Sequence, residues 1–352
     1  MSDAVRRRRF RLGTAAAVVG LMLIAGATAG SALAGPKAGA AGARAAAPLD
    51  LAHPTKALCK KSSYKIGYDV FSSNQPFAVS LSDGLTDAAK KIGCATVLKT
   101  YDNLNGPVAV GNLKTLLNEG IDGFVDFQVL AAYQPAMAKI LKDKKVPAVT
   151  VVGAELPGFP QVGLDPFNTE RKAAIYMATI AKKRFPGQMP YFLGGAEPTS
   201  GAAVLARYKG AVAGIKSVYP SIPSNHIIEV KTEGVATTAY NVTASALSSV
   251  PSDGVVLMQA VNDEDTGGMY KAAQARHVKN FLVESYGGDS YGLSQVCSDP
   301  VHYVGAWYLD PYSWGPVLLS LIMNSMNGVK VPAVTNIPGY QVTHNTPLLK
   351  CK

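Results

Sequence analysis

An α/β chain of two similar lobes, each built on a parallel sheet, follows from three features of these 352 residues. Short apolar runs alternate with amphipathic stretches along most of the chain, which is the pattern of repeated βα units. The order occurs twice, once between residues 64 and 152 and again between 168 and 285. Within the repeat, Ile121-Asp122-Gly123-Phe124-Val125 is echoed by Ser252-Asp253-Gly254-Val255-Val256, each after a helix and opening a strand.

The first strand is Tyr64–Val70, and helix 76–92 follows it with Pro76 suited to the first turn and Leu81, Leu85, Ala88 and Ile92 along one side. Strand 94–100 precedes helix 107–119, which Pro107 opens and Gly120 closes. Strands 122–127 and 146–152 flank helix 131–144. The second series predicts helix 168–185, strand 189–194, helix 201–218, strand 226–231, helix 236–249, strand 253–259, helix 264–277 and strand 279–285. The tail adds a strand near 301–307, a helix at 316–327 and a strand near 338–343.

Ahead of the first strand the composition changes. Residues 6–11 are Arg-Arg-Arg-Arg-Phe-Arg, and a small, apolar run from Leu12 ends in Ala32-Leu33-Ala34. That order of basic, apolar and small-x-small segments predicts an export signal over 1–34, cleaved after Ala34. The Arg pairs with Phe10 loosely resemble a twin-arginine signal, with Sec export the expected route. No cysteine follows to carry a lipid, so the expectation is a protein secreted outside the cytoplasm. Residues 35–58, rich in Ala, Gly and Pro, read as a disordered spacer. The formal charge of +10 falls to +6 without residues 1–34, with 29 basic and 23 acidic residues left. No basic stripe interleaved with aromatics is present, which argues against nucleic acid as a partner.

Four cysteines in an exported chain predict disulfides. Three connectivities are open, of which Cys59–Cys94 and Cys297–Cys351 need the fewest crossings. No CxxC spacing supports zinc, and Asn262-Asp263-Glu264-Asp265 lacks the spacing of a calcium loop, leaving a polar helix start. His53, His226, His277, His302 and His344 are scattered, no phosphate-cradling loop is present, and no metal or cofactor is expected. One motif points to catalysis. Gly288-Asp289-Ser290-Tyr291-Gly292 matches GxSxG, so a secreted hydrolase with Ser290 as nucleophile is the alternative function, although the 60 residues beyond Gly292 leave little room for an acid and a base.

In open α/β sheets ligands bind beyond the carboxyl ends of strands. Those positions here include Phe71–Phe77, Phe127–Tyr133, Gly153–Phe159, Gly195–Ser200, Gln259–Asp265, Tyr286–Ser290 and Trp307–Trp314. The mixture of rings and amides suits a small polar molecule with an apolar face.

Tyr64–Gly93, with Asn74-Gln75-Pro76-Phe77-Ala78-Val79-Ser80-Leu81-Ser82-Asp83-Gly84, resembles the first βα unit of type I periplasmic binding proteins of the ribose/galactose branch. Gly120–Phe124, Val146–Val149, Thr199-Ser200-Gly201, Arg207–Gly210 and Gln259–Asp263 match further motifs in the same order, over nearly the whole chain that follows the export signal. The resemblance implies two Rossmann-like lobes with a ligand cleft between them: 59–164 with about 309–331, and 165–308 with about 332–352. It also implies a monomeric receptor that closes about hinges near Leu164–Pro166, Tyr308–Pro311 and Val331–Ala333, and delivers its ligand to the membrane permease of an ABC importer. By the same resemblance Phe77 stacks on ligand, Gln75 binds it, Arg207 reaches it from the second lobe, and Asn262 meets it after a strand. Asn74, Phe127, Gln128, Asp165, Tyr286, Asp289 and Tyr308 complete the candidate ligand set.

Two departures bear on the ligand. Val152-Gly153 stands where sugar binders often have Asp-Arg, and Gly287 where they have Asp, with Asp289 two residues on. Two carboxylates are therefore expected to be missing or displaced. A sugar or polyol is the leading ligand class, followed by small carboxylated or aromatic solutes; Arg207 would need its charge answered by the ligand, Asp289 or Asp310.

Overall fold

A computed structural model describes residues 49–151 and 153–351. The export signal, the spacer up to residue 48 and Val152 lie outside the described residues. The first lobe comprises β1 (Tyr64–Val70), α1 (Pro76–Ile92), β2 (Ala95–Tyr101), α2 (Gly106–Asn118), β3 (Gly123–Phe127), α3 (Gln134–Lys144), β4 (Ala148–Val151) and β5 (Gln161–Gly163). The second comprises α4 (Pro166–Arg184), β6 (Tyr191–Ala196), α5 (Gly201–Val218), β7 (Ile227–Lys231), α6 (Ala236–Ala246), β8 (Val256–Gln259), α7 (Asp263–Ala275), β9 (Phe281–Gly287), α8 (Ser290–Ser298) and β10 (Tyr303–Tyr308). The chain then returns through α9 (Trp314–Met326), β11 (Val334–Asn336) and β12 (Tyr340–Val342).

Each lobe holds a six-stranded sheet, ordered β11-β5-β4-β3-β1-β2 in the first and β12-β10-β9-β8-β6-β7 in the second. The pairings are parallel except β10 with β12, which is antiparallel. Parallel strands need helical crossovers, and these cover both faces of each sheet. The first sheet packs α1 and α9 on one face through Leu81, Leu85, Leu318 and Ile322, and α2 and α3 on the other through Leu113, Phe124 and Met137. The second packs α6 and α7 on one face and α4 and α5 on the other.

Local chemistry sets the helix starts. Gln75 Oε1 accepts from the Ala78 amide at 2.8 Å, Asn105 Oδ1 from Val108 at 3.2 Å and Asp165 Oδ1 from Asn168 at 3.0 Å. A proline follows each cap within two residues, where its missing N–H costs nothing. In α1 the apolar positions Ala78, Leu81, Leu85, Ala88 and Ile92 recur at helical spacing and all are buried. Burial of a leucine there contributes about 1.5–3 kcal/mol, so a charge at Leu85 would unseat the helix.

Three expectations are revised. The spacer was expected to run to residue 58, yet Lys56–Leu58 forms a 3₁₀ turn, Leu51 and Leu58 pack on the first core, and the Leu58 carbonyl accepts from Asn327 Nδ2 at 2.8 Å. The chain passes between sheets at Leu164–Asp165, at Leu309–Ser313 and, in place of Val331–Ala333, at Ile337–Gly339. The third crossing moves because β11, at 334–336, pairs with β5 in the first sheet. Elements β5, β11 and α8 were not expected at all. Cys59 is bonded to Cys94 and Cys297 to Cys351, with Cα separations of 6.0 and 5.1 Å. The first bond ties the approach to β1 to the entry of β2; the second ties the C-terminal tail to α8.

Candidate ligand site

The carboxyl ends of both sheets face a common cavity of about 240 Å³. Six of the expected residues line it: Gln75, Phe77 and Phe127 from the first lobe, and Arg207, Asn262 and Tyr286 from the second. Phe127, at the end of β3, meets Phe71 edge-on with centroids 4.8 Å apart and Phe77 at 6.2 Å. Behind Phe77 stands Trp314, 5.7 Å away and nearly perpendicular, its indole N–H donating to the Leu309 carbonyl at 2.8 Å. The rings support one another in the edge-to-face arrangement their quadrupoles favour, so this wall is set before any ligand arrives. Because Gln75 Oε1 is committed to capping α1, its amide N–H group is the part left to face the cavity.

Opposite, Arg207 lies on α5 with its guanidinium 5.1 Å from the Tyr286 ring centroid, a cation–π arrangement. One terminal nitrogen donates to the Val261 carbonyl at 2.9 Å, while Nε is buried without a partner. Asn262 caps α7 through Oδ1, 2.7 Å from the Asp265 amide, and donates from Nδ2 to Glu197 Oε1 at 2.8 Å.

Acidic residues outside the candidate ligand set make up much of this second wall. Glu197, Glu233, Asp263 and Glu264 all line the cavity. Glu197 Oε2 accepts from Ser200 Oγ at 2.9 Å, and Glu233 Oε2 accepts from Thr199 Oγ1 at 3.2 Å. Asp263 accepts from Ser285 Oγ and, at 2.8 Å, from the Asp289 amide. Burial pushes the Glu197, Asp263 and Glu264 carboxyls above their ordinary range. The charge of Arg207 partly opposes this at Glu197 and at the buried Glu170. Glu197 and Glu170 are thus the carboxyls on which the Arg207 charge acts, though among the described residues none lies within ion-pair distance of it. Asp289 and Asp310 are occupied elsewhere, capping α8 and accepting from Tyr308 Oη at 3.2 Å.

The remaining candidates lie outside the cavity. Gln128 is fully buried and donates to Asp102 Oδ2 at 2.5 Å. Asp165 is exposed at the first crossing, where it caps α4; the amide and side chain of Asn168 hold its carboxyl below the usual range. Asn74, Asp289 and Tyr308 share a separate groove with Tyr312. Ser290 begins α8 on the surface, and His302 is engaged with Asp299 at 3.0 Å and stacked on Phe281, so the nominal GxSxG residues form no triad with it.

The glycines at the two departures, Gly153 and Gly287, each sit against a close neighbour. A β-carbon at Gly153 would come within 2.5 Å of the Gln128 carbonyl. At Gly287, where φ is +135°, it would come within 2.4 Å of Asp263 Oδ2. At Gly287 the expected carboxylate is displaced rather than missing: the space beyond β9 is filled by the carboxylate of Asp263, reaching in from the start of α7.

A family model described as a periplasmic binding protein domain matches residues 66–330. The chain belongs to this family. No curated protein sequence matches it significantly. Among solved structures, the fold is similar to that of an ABC transporter solute binding protein from Mycobacterium smegmatis with bound glycerol, with a TM-score of 0.70 at 16% identity over 82% of this chain and 97% of that one. An ABC transporter periplasmic solute binding protein from Actinobacillus succinogenes with bound D-allose gives 0.66 at 16% identity, covering 80% and 98%. One from Bacillus halodurans with bound myo-inositol gives 0.67 at 14%, covering 81% and 96%. As a periplasmic binding protein domain, the chain has the expected two-lobed α/β architecture with its cavity at the strand ends. Among the described residues no helix is long and apolar enough to cross a membrane, and no cluster of His, Cys, Asp and Glu could hold a metal ion.

Proposed function

We propose that this protein is a secreted, monomeric receptor that captures a small sugar or polyol between its lobes and delivers it to the permease of an ABC importer. The observation that carries the reading is the convergence of Gln75, Phe77, Arg207 and Asn262, from both lobes, on one cavity. A ring offers its face to C–H groups, while amide, guanidinium and carboxyl groups answer hydroxyls. Ligand bound to both walls favours the closed arrangement of the lobes, and that shape is what a permease would recognise. The sugar- and polyol-bound relatives agree with this class.

An anionic ligand is the weaker alternative, because four carboxyl groups and one guanidinium line the cavity. Calorimetry against pentoses, hexoses, inositols, glycerol and small organic acids tests the assignment. Binding of one or more neutral polyols is expected; binding of acids alone, lost in Arg207→Ala, overturns the ligand class and keeps the receptor. N-terminal sequencing of exported protein should begin at Gly35.

A further inference from the structure

The two walls of the cavity have opposite chemistry. Phe71, Phe77, Leu104, Phe127, Val129 and Leu130 form the first-lobe side, where Gln75 is the one polar side chain among the described lining residues. The polar groups just behind that wall are turned inward and engaged. Gln128 donates to Asp102, Gln134 donates to Asp126 at 2.6 Å, and Asn112 and Thr100 donate to Asp69 at 2.8 and 2.7 Å. The second-lobe side presents Glu197, Arg207, Glu233, Asp263 and Glu264, four carboxyl groups and one guanidinium.

A sugar or polyol with hydroxyls on every edge would leave some of them unanswered against hydrocarbon, which costs binding energy. The volume, about 240 Å³, lies below the roughly 300–1,000 Å³ of pockets for drug-sized molecules and suits a single ring. Resting on the polyol-receptor reading above, we infer that the preferred ligand is a single-ring polyol without anionic groups that carries a methyl group, as a deoxy or O-methyl substituent, against the first-lobe wall. Its hydroxyls face the acceptors of the second lobe, and Gln75 answers the one that remains near the rings.

Matched pairs in calorimetry test this: D-galactose with D-fucose, D-glucose with D-quinovose, and myo-inositol with a mono-O-methyl ether. The tightest binder of the six should be a methyl-bearing member, about tenfold or more tighter than its parent, as sparing a hydroxyl from burial against hydrocarbon (the deoxy pairs) or adding a methyl to an apolar pocket (the ether) warrants. Leu104→Asn adds a polar partner to the wall at an exposed residue, and should shrink that gap to about threefold or less. Parents binding as tightly as their methylated partners, or a gap unchanged in Leu104→Asn, overturns the inference and leaves the receptor reading standing. Binding of none of the six overturns the inference alone, and the wider panel of pentoses, hexoses, glycerol and acids then decides the receptor reading.

Discussion

The two lobes share an architecture and differ in what their strand ends carry. In the first, three buried carboxylates, Asp69, Asp102 and Asp126, are each held by neighbouring amides or hydroxyls beneath a wall of rings. In the second, Glu170, Glu197, Asp263, Asp265, Glu284 and Asp289 are all buried, and Glu197 and Asp263 reach the cavity itself. A parallel sheet fixes where the binding edge lies, but not its polarity. The residues just after each strand decide that. The first lobe is built as a preformed apolar support, and the second as the surface that answers polar groups.

If that division is right, damage to the support should cost the most stability. Trp314→Ala removes a fully buried ring from behind Phe77 and is expected to cost about 3–5 kcal/mol in urea unfolding. Glu264→Ala, on the polar wall and only half-buried, should cost under about 0.5 kcal/mol while weakening ligand binding. Reversal of that order would break the comparison. The disulfides test whether the lobes differ in anything besides the cleft. They close spans of 35 and 54 residues, and loop closure depends only weakly on length. Cys59→Ser/Cys94→Ser and Cys297→Ser/Cys351→Ser should therefore each cost about 2–4 kcal/mol, within about 1 kcal/mol of one another.

Titration sharpens the contrast further. Burial raises Asp102 to about 6, Asp69 and Asp126 to about 7, and Glu170 to about 8. A carboxyl raised in the folded state favours the protonated form there. Its contribution is fully present below the unfolded value near 4 and is lost as pH rises through the folded one. Stability should fall by at least about 2 kcal/mol between pH 5 and pH 9. Asp126→Asn should flatten the decline up to about pH 7, and Glu170→Gln its continuation to about pH 8. A flat profile in the parent protein would count against these groups being buried in the folded state. A small effect of the opposite sign is expected at Leu104, whose φ of +61° suits asparagine better than leucine. Leu104→Asn should raise stability by up to about 1 kcal/mol, read as a small gain in Tm.

Much of the fold was legible in the sequence because its punctuation is chemical. The bounds expected for β1, α1 and α5 match the structure to the residue, and α1 is marked by Pro76 at its start and an apolar stripe along its length. Elements β5 and β11, at three residues each, are too short to show a period and exist by pairing with each other across the sheet edge. The nine-residue α8 begins inside the GxSxG match, at Ser290, and contains Gly292, so its helical signal is weak. In the site, the rings and Arg207 could be found by resemblance. Asp263 and Glu264 fall in the strand-end stretch Gln259–Asp265 but read there as a polar helix start, because an acidic first turn is ordinary helix chemistry. Leu104 and Glu233 follow β2 and β7, sheet-edge strands whose ends were not among the positions searched, although both line the cavity.

The order of the last segments has a consequence for how the chain matures. The first sheet is completed by β11 and covered by α9, whereas the second is completed by β12 and closed by the Cys297–Cys351 bond. Both lobes therefore wait on residues 314–351 before either has all its strands. Neither can be excised as a continuous fragment with its sheet intact. Contacts this distant along the chain slow folding. While the final forty or so residues are still emerging, both sheets stand unfinished, and that interval is when a chaperone would find the most to protect.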